Sequence, residues 1–350
     1  MSDRSELCTA SKDENGPTTV QRLKTSFPEA EPRALAQENA VIATPQELLN
    51  TTHRLFLGFD SQKMSQIENE TIHLALTSPP YWNLKDYGNP SQLGYRDSLP
   101  SYIKKLRNVW RECLRVLLPG CRLCINVGDE YLRANGNTPY QIIPLHAYIV
   151  NDIMNKFADR VVYLGSIIWQ KIPTTRTTGG ASVMGSYGFP RNGYVSYNYE
   201  YIAIFKKLGS APRPPSTKGN ERIGLDEWRR LFNGIWSYQS DKQITEEEEI
   251  NNGIWRFKGA RQVGGIAIFP DELPRRLIRM FTYAGDTVLD PFMGSGTTTK
   301  VAFEMGRNSI GYDIGFRGDN NDWKEVVKNK IHYYNLEERV RDSTFRLVTR

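Results

Sequence analysis

Asp286-Thr287-Val288-Leu289-Asp290-Pro291-Phe292-Met293-Gly294-Ser295-Gly296-Thr297-Thr298 sets the expected architecture. Val288 and Leu289 are the apolar centre of a short strand. Gly294 and Gly296 allow a tight turn and a close approach of backbone to ligand. Thr297 to Met305 then reads as a helix, with Val301, Ala302 and Met305 on one face. Ser309-Ile310-Gly311-Tyr312-Asp313 follows as a second strand that ends in an acid. Strand, glycine loop, helix, strand, acid is the order of a nucleotide-cofactor half-fold, with the acid roughly twenty residues past the loop, where a ribose ligand belongs. The third glycine of the dinucleotide fingerprint is missing, which argues against NAD.

A second stretch, Thr77-Ser78-Pro79-Pro80-Tyr81-Trp82, follows the apolar run Ile72-His73-Leu74-Ala75-Leu76. The run reads as a short buried strand. Two prolines stop it, because each fixes φ and neither donates a ladder hydrogen bond. The product is a rigid corner at the carboxyl edge of a sheet, where open α/β folds bind ligands. The corner carries a hydroxyl (Ser78), backbone carbonyls without partners of their own, and two aromatic faces (Tyr81, Trp82). That set suits a flat base with an amino group to be polarised. Taken alone, it reads equally well as an ordinary proline-rich turn.

Together the two stretches resemble the DNA amino-methyltransferases that use S-adenosylmethionine. Ser78-Pro79-Pro80-Tyr81 precedes the loop from Asp290, an order similar to the circularly permuted β class of that family. The resemblance spans residues 52 to 335. It implies an α/β fold: a doubly wound, mostly parallel, Rossmann-like sheet with a terminal antiparallel hairpin and a small target-recognition insertion. It also implies that Asp290, Pro291, Phe292, Gly294, Ser295, Gly296 and Thr297 surround the methionine portion of the cofactor, with Asp313 on the ribose. Phe269 and Pro270 match the segment that closes the pocket. Asp60 stands near the adenine-contacting acid of the family, but Phe59 separates it from Gly58, and a helix cap before Gln62 to Ile67 is the other reading. A first-position Ser goes in that family mostly with N4-cytosine, and Asp or Asn mostly with N6-adenine. Double-stranded DNA is the implied partner, and a homodimer is common in the class.

Composition bounds these expectations. In 350 residues, 45 Lys and Arg against 39 Asp and Glu leave a net charge of +6, which suits a polyanion partner. Eighteen Tyr and seven Trp supply stacking surfaces. Cys121 and Cys124 lack a second pair or a His to complete a zinc set, and i and i+3 in a strand face opposite ways. Buried reduced thiols are expected, hence a reducing compartment, either a bacterial cytoplasm or a nucleus, and no metal. No apolar run has the length to cross a membrane, and the first residues form no apolar signal core.

Five segments are expected. Residues 1–45 form a disordered polar tail, 46–208 the catalytic half, 209–262 the target-recognition region, 263–335 the cofactor half and 336–350 a tail. Ser101 to Leu118 reads as an amphipathic helix, capped by Ser101 and stopped by Pro119-Gly120. Val161 to Trp169 and Tyr199 to Lys206 form the hairpin, with Trp169 either a second stacking aromatic or a core residue. Between them, Lys171, Arg176 and Arg191 lie among Thr and Gly, a pattern suited to phosphate contacts. Lys85, Asp86 and Tyr87 in the loop after the corner are candidates for cofactor or DNA contact. Arg222, Arg229, Arg230, Lys242, Arg256, Lys258 and Arg261 are candidate DNA contacts in the recognition region.

The implied reaction is methyl transfer to an exocyclic amine of a flipped-out base, with Ser78 and the Pro79 carbonyl polarising the amine and Tyr81 stacking on the base. The rival readings are N6-adenine methylation, an inactive DNA-binding protein on the same fold, and an RNA or protein methyltransferase.

Overall fold

The computed structural model describes residues 50–132, 134–136, 139–170, 189–195, 199–214, 222–237, 262–263, 266–267, 269–315 and 344–349. The polar segment 1–45, the helix expected around Trp323 to Ile331, and Lys242, Arg256, Lys258 and Arg261 lie outside these residues.

Strands β1 (Thr52–Leu57) and β2 (Ile72–Thr77) lead to helix α1 (Leu99–Val116), which runs straight into β3 (Leu117–Val127). A small pair, β4 (Glu130–Leu132) and β5 (Gln141–Ile143), precedes α2 (Leu145–Phe157). The hairpin β6 (Val161–Gln170) and β7 (Tyr199–Lys207) follows, then α3 (Leu225–Leu231), β8 (Ile235–Ser237) and the short pair β9 (Gln262–Val263) and β10 (Ile266–Ala267). The chain continues through α4 (Glu272–Phe281), β11 (Thr287–Asp290), α5 (Thr297–Glu304), β12 (Asn308–Asp313) and β13 (Thr344–Thr349).

Nine strands form one sheet in the order β13-β1-β12-β11-β2-β3-β7-β6-β8. From β13 to β3 all pairs are parallel, β7 is antiparallel to both β3 and β6, and β8 closes the edge parallel to β6. The glycine-loop half (β11, β12) comes late in the chain yet occupies the sheet centre beside β1 and β2, which is the permuted doubly wound arrangement.

Apolar layers cover both faces. Tyr102, Leu106, Val109, Trp110 and Cys113 of α1 pack with α2 residues Ile149 and Ile153 on one face. Leu273, Leu277 and Ile278 of α4 and Val301 and Ala302 of α5 pack on the other. Cys121 belongs to the first layer and Cys124 to the second, as the alternation of a strand requires. Both are free and buried.

Four expectations need correction. The cap of α1 is Ser98, whose side chain accepts from the Ser101 N–H; Pro100 then falls in the first turn, where its missing N–H costs nothing. The helix ends at Val116 rather than at Pro119-Gly120, which are already part of β3. Gln62 to Ile67 forms turns, not a helix. Residues 344–349 are a strand rather than a tail, because the edge of β1 offers a full ladder from Thr52 against Thr344 to Leu57 against Thr349. In the recognition interval, the described residues 222–237 belong to the main body: β8 pairs with β6, Leu231 is buried, and Glu227 bonds Arg279 of α4 at 2.8 Å.

Candidate active site

β11 and β2 are parallel neighbours, with Val288 against Leu74 and Leu289 against Ala75. Beyond them the chain diverges, from β11 through α5 to β12 and from β2 through α1 to β3. This divergence opens a crevice at the carboxyl ends of the two strands, the place where open α/β sheets take ligands.

Asp290 closes the floor of that crevice. Its carboxylate accepts from Thr77 Oγ1 at 2.9 Å, Thr298 Oγ1 at 2.6 Å and the Phe292 N–H at 3.0 Å. It is 1 % exposed, and burial pushes its carboxyl up to about 6. Asp290 therefore shapes the loop and joins it to β2, without lining the cavity above. Gly296 caps α5 in the left-handed region at φ 84°, and Ser295 and Thr297 are buried beside it.

The cavity lies between the two catalytic-looking stretches. Ser78 and Pro80 line it from the β2 corner, Pro291, Phe292 and Gly294 from the glycine loop, and Asp313, Ile314 and Gly315 from the end of β12. Asp60 and Ser61 line it after β1, and Tyr87, Ser91, Gln92 and Leu93 from the loop of residues 83–97. Asp313 accepts from the N–H groups of Gly294 at 3.0 Å and Gly315 at 2.7 Å, and burial lifts its carboxyl to about 6. Asp60 accepts from the Gln62 backbone at 2.9 Å and side chain at 3.0 Å, so it both caps a turn and faces the cavity.

The loop of residues 83–97 is tied over this cavity. Asn89 Nδ2 donates to the carbonyls of Ile314 and Gly315 at 2.8 and 3.0 Å. Gln92 accepts from the Tyr87 N–H at 2.7 Å and donates to the Lys85 carbonyl at 2.8 Å. Burial, with help from the Asp313 charge, raises the Tyr87 phenol above its ordinary range. A ring wall, a carboxylate and glycine backbone around one cavity fit an adenosine-bearing cofactor: Asp313 offers acceptors for ribose hydroxyls, and Gly294 admits close backbone approach.

Ser78 also belongs to a second cluster. Its Oγ donates to Tyr81 Oη at 3.2 Å, and Tyr81 Oη donates to Glu200 Oε2 at 3.0 Å. Asn126 Nδ2 approaches Glu200 Oε2 at 2.8 Å, Tyr81 Oη at 3.1 Å and Ser78 Oγ at 3.5 Å. Asn126 Oδ1 is buried and has no hydrogen-bond partner among the described residues. Burial, then the Glu200 charge, raises the Tyr81 phenol well above its ordinary value. Gly128 leaves the needed room, since a Cβ there would stand 3.1 Å from Glu200 Cγ and 3.2 Å from the Tyr81 ring.

The other residues named from the sequence fall elsewhere. Pro79 is buried in the corner. The Pro80 carbonyl is not without a partner, because Tyr102 Oη donates to it at 2.6 Å and the Trp82 N–H at 3.1 Å. Trp82 is half-buried against the first apolar layer, and its indole donates to the Asp97 carbonyl at 2.8 Å, so it anchors the loop. Trp169 is 2 % exposed within the second layer: it is a core residue and leaves no face for a base. Phe269 packs against that same layer, with Pro270 half-buried next to it, and neither lines the cavity. Arg191 is exposed, as is Arg222, while Lys171 and Arg176 lie outside the described residues. Glu200 and Asn126 escape the reading of motifs. The available signal is an acid within the apolar strand Tyr199–Lys207, since buried acids are rare without a purpose.

Among the described residues no group of three or more His, Cys, Asp or Glu could hold a metal ion, and no helix is long and apolar enough to cross a membrane.

The sequence profile of a DNA methylase family, covering N6-adenine and N4-cytosine enzymes, matches residues 72–316. The type II methyltransferase M.MjaI of Methanocaldococcus jannaschii is 36 % identical over 310 residues, 81 % of this chain and 92 % of that protein. The type II methyltransferase M.MthZI of Methanothermobacter thermautotrophicus is 33 % identical over 304 residues, 81 % of this chain and 78 % of that protein. Among solved structures, the Thermus thermophilus protein TTHA0409, a putative DNA modification methylase complexed with S-adenosyl-L-methionine, superposes with a TM-score of 0.60 at 26 % identity, covering 85 % of this chain and 98 % of that one. The cytosine-N4-specific PvuII DNA methyltransferase shares the fold, with a TM-score of 0.51 at 17 % identity over 86 % of this chain and 96 % of that one.

Proposed function

The chain belongs to the N6-adenine and N4-cytosine DNA methylase family and is an S-adenosylmethionine-dependent DNA methyltransferase, and from that premise we propose that its target is the N4 amine of a cytosine flipped out of duplex DNA. The observation that carries this reading is the position of Ser78, which lines the cofactor cavity and at the same time opens the polar cluster of Tyr81, Asn126 and Glu200. A hydroxyl at this position, where adenine enzymes of the resembling family carry Asp or Asn, favours cytosine.

The cofactor supplies an electrophilic methyl group on a sulfonium. Asp313 holds the ribose, Tyr87 and Phe292 flank the adenosine, and the loop from Pro291 to Gly296, stiffened by Asp290, receives the methionine end. Asp60 takes the adenine side. An exocyclic amine is a poor nucleophile while its lone pair is delocalised into the ring. Hydrogen bonds from its protons to Ser78 Oγ and the Pro79 carbonyl pull the nitrogen toward a tetrahedral form and free the pair. The Tyr81 ring stacks on the base. Extruding the base costs roughly a few kcal/mol, offset by contacts to the phosphates from cations such as Lys171, Arg176 and Arg191. The relatives are type II methyltransferases, so a role in restriction-modification is part of the same reading.

Mass spectrometry of nucleosides tests it. Unmethylated DNA is incubated with S-adenosylmethionine and the wild type, Ser78→Ala or Asp290→Ala. N4-methylcytosine from the wild type alone is the expected result, and N6-methyladenine instead would overturn the cytosine assignment.

A further inference from the structure

We propose that Glu200 is the terminal proton acceptor of the active site, reached from the substrate amine through Ser78 and Tyr81. The inference deepens the reading above and rests on its amine substrate.

The geometry is a chain of donors that all point one way. Ser78 Oγ donates to Tyr81 Oη at 3.2 Å, and Tyr81 Oη donates to Glu200 Oε2 at 3.0 Å. At one end Ser78 faces the cavity. At the other, the Glu200 carboxyl is 6 % exposed and accepts hydrogen bonds from Tyr81 and Asn126. Asn126 Nδ2, 2.8 Å from Glu200 Oε2, supplies a neutral donor that stabilises the charge without competing for the proton. An acid at that position would repel Glu200; an amide ties it to Tyr81.

The chemistry calls for such an acceptor. When the nitrogen lone pair forms the new N–C bond, the methyl carbon's bond to sulfur breaks and sulfur keeps that electron pair. The nitrogen then bears the methyl, two hydrogens and a positive charge, and one proton must leave. It passes to Ser78 Oγ as the Ser78 proton moves to Tyr81 Oη and the Tyr81 proton to Glu200 Oε2. Ser78 and Tyr81 end as they began, Glu200 ends neutral, and the proton is later lost to water. Glu200 thus acts through Tyr81 and Ser78 and does not touch the base.

Glu200 meets Tyr81 from the β2 corner and Asn126 and Gly128 from β3 and the turn after it, with Trp169 opposite it in the β6–β7 ladder. The Glu200 charge acts on the Tyr81 phenol, so coupling between the two is measurable on its own. In full-length protein carrying 13Cζ-labelled tyrosine, the Tyr81 signal, assigned through Tyr81→Phe, is followed against pH. Glu200→Gln lowers the pH at which Tyr81 ionises, because the neighbouring negative charge is gone.

Single-turnover methylation of saturating DNA is then measured for the wild type, Glu200→Gln, Glu200→Asp, Tyr81→Phe and the double variant. Glu200→Gln and Tyr81→Phe each slow the step by about 10²-fold, the range of a lost proton acceptor, while cofactor affinity stays unchanged. Glu200→Gln turns a rate that is flat through neutral pH into one that climbs with pH, Glu200→Asp recovers part of the loss, and the double variant is no slower than either single one. A Glu200→Gln rate within about threefold of wild type with the same pH profile, or losses that multiply, would overturn the relay. Absence of methylated base from the wild type itself would instead overturn the reading of the substrate, a separate result seen in the same assay.

Discussion

The Asp313 carboxylate accepts the N–H of Gly294 at 3.0 Å, so the acid that ends β12 is held by the glycine loop that follows β11. The two walls of the cofactor cavity are thereby one unit. Burial raises Asp313 to about 6, within reach of ordinary buffers. With the ribose held by Asp313 as proposed, protonating the carboxyl removes acceptor strength toward its hydroxyls, so binding strength is present above this value and lost as pH falls through it. At pH 5 roughly one molecule in ten is ionised, and calorimetry should show S-adenosylmethionine binding about tenfold weaker than at pH 7. Asp290 titrates in the same range. Asp313→Asn separates them: weak binding that no longer varies between pH 5 and 7 assigns the effect to Asp313, and a retained pH dependence assigns it to Asp290.

Thr77 and Asp290, 213 positions apart, make the bond that joins the β2 corner to the glycine loop. Thr77→Val keeps the volume and removes the donor to a buried carboxylate. Denaturant unfolding should show a loss of about 1–3 kcal/mol, and cofactor affinity should fall with it. Thr77→Ser keeps the donor and should stay close to wild type. An unchanged unfolding midpoint for Thr77→Val would mean that Thr298 and the Phe292 N–H suffice to hold Asp290.

Legibility follows residue type and range. The glycine loop and the proline corner are readable because Gly and Pro restrict the backbone locally, whatever surrounds them. The parallel centre and the hairpin follow from the order of apolar runs. The cluster around Ser78 is not readable, because Asn126 and Glu200 reach it only after β3 and β7 pair in register, with Asn126 opposite Ile202. Trp169 misleads for the same reason: an aromatic at a strand end looks alike whether it faces a ligand or the α4–α5 layer. β13 is hidden by its length and by pairing with the opposite end of the chain. Ser101 and Ser98 are alike as cap residues, and Ser98 takes the role in the structure, with Pro100 in the first turn.

Two glycines with positive φ give a contrasting pair. Gly296, at φ 84°, has nothing within 4 Å of where a Cβ would stand, so Gly296→Ala meets only the backbone cost of about 1–2 kcal/mol. Gly94, at φ 94°, would place a Cβ 2.6 Å from the Trp82 carbonyl oxygen and 2.8 Å from its Cα, both backbone atoms that cannot swing aside. Gly94→Ala should therefore displace the loop of residues 83–97 that Asn89 and Gln92 tie over the cavity. Cofactor affinity should drop about tenfold or more, and limited proteolysis should cut near Lys85. A Gly94→Ala affinity equal to that of the wild type would show that this loop does not cover the bound cofactor.

The edge strand β13 offers a test of what protects the sheet. Its six residues pair with β1 from Thr344 to Thr349, Val348 packs against the first apolar layer, and Arg346 is exposed. Deleting residues 344–350 leaves β1 as a bare edge, with a row of unpaired N–H and C=O groups that invites association. Losing the ladder and the Val348 contact should cost roughly 2 kcal/mol, which for a chain of this size corresponds to a melting temperature about 3 °C lower. Light scattering at protein concentrations the full chain tolerates should report aggregation of the shortened one. The point variants locate the cause. Val348→Asp places a charge against the apolar layer and should reproduce most of the loss, whereas Arg346→Glu faces solvent and should change the melting temperature little. A shortened chain that melts with the full one would mean that β1 is stable as an edge and that β13 is dispensable to the fold.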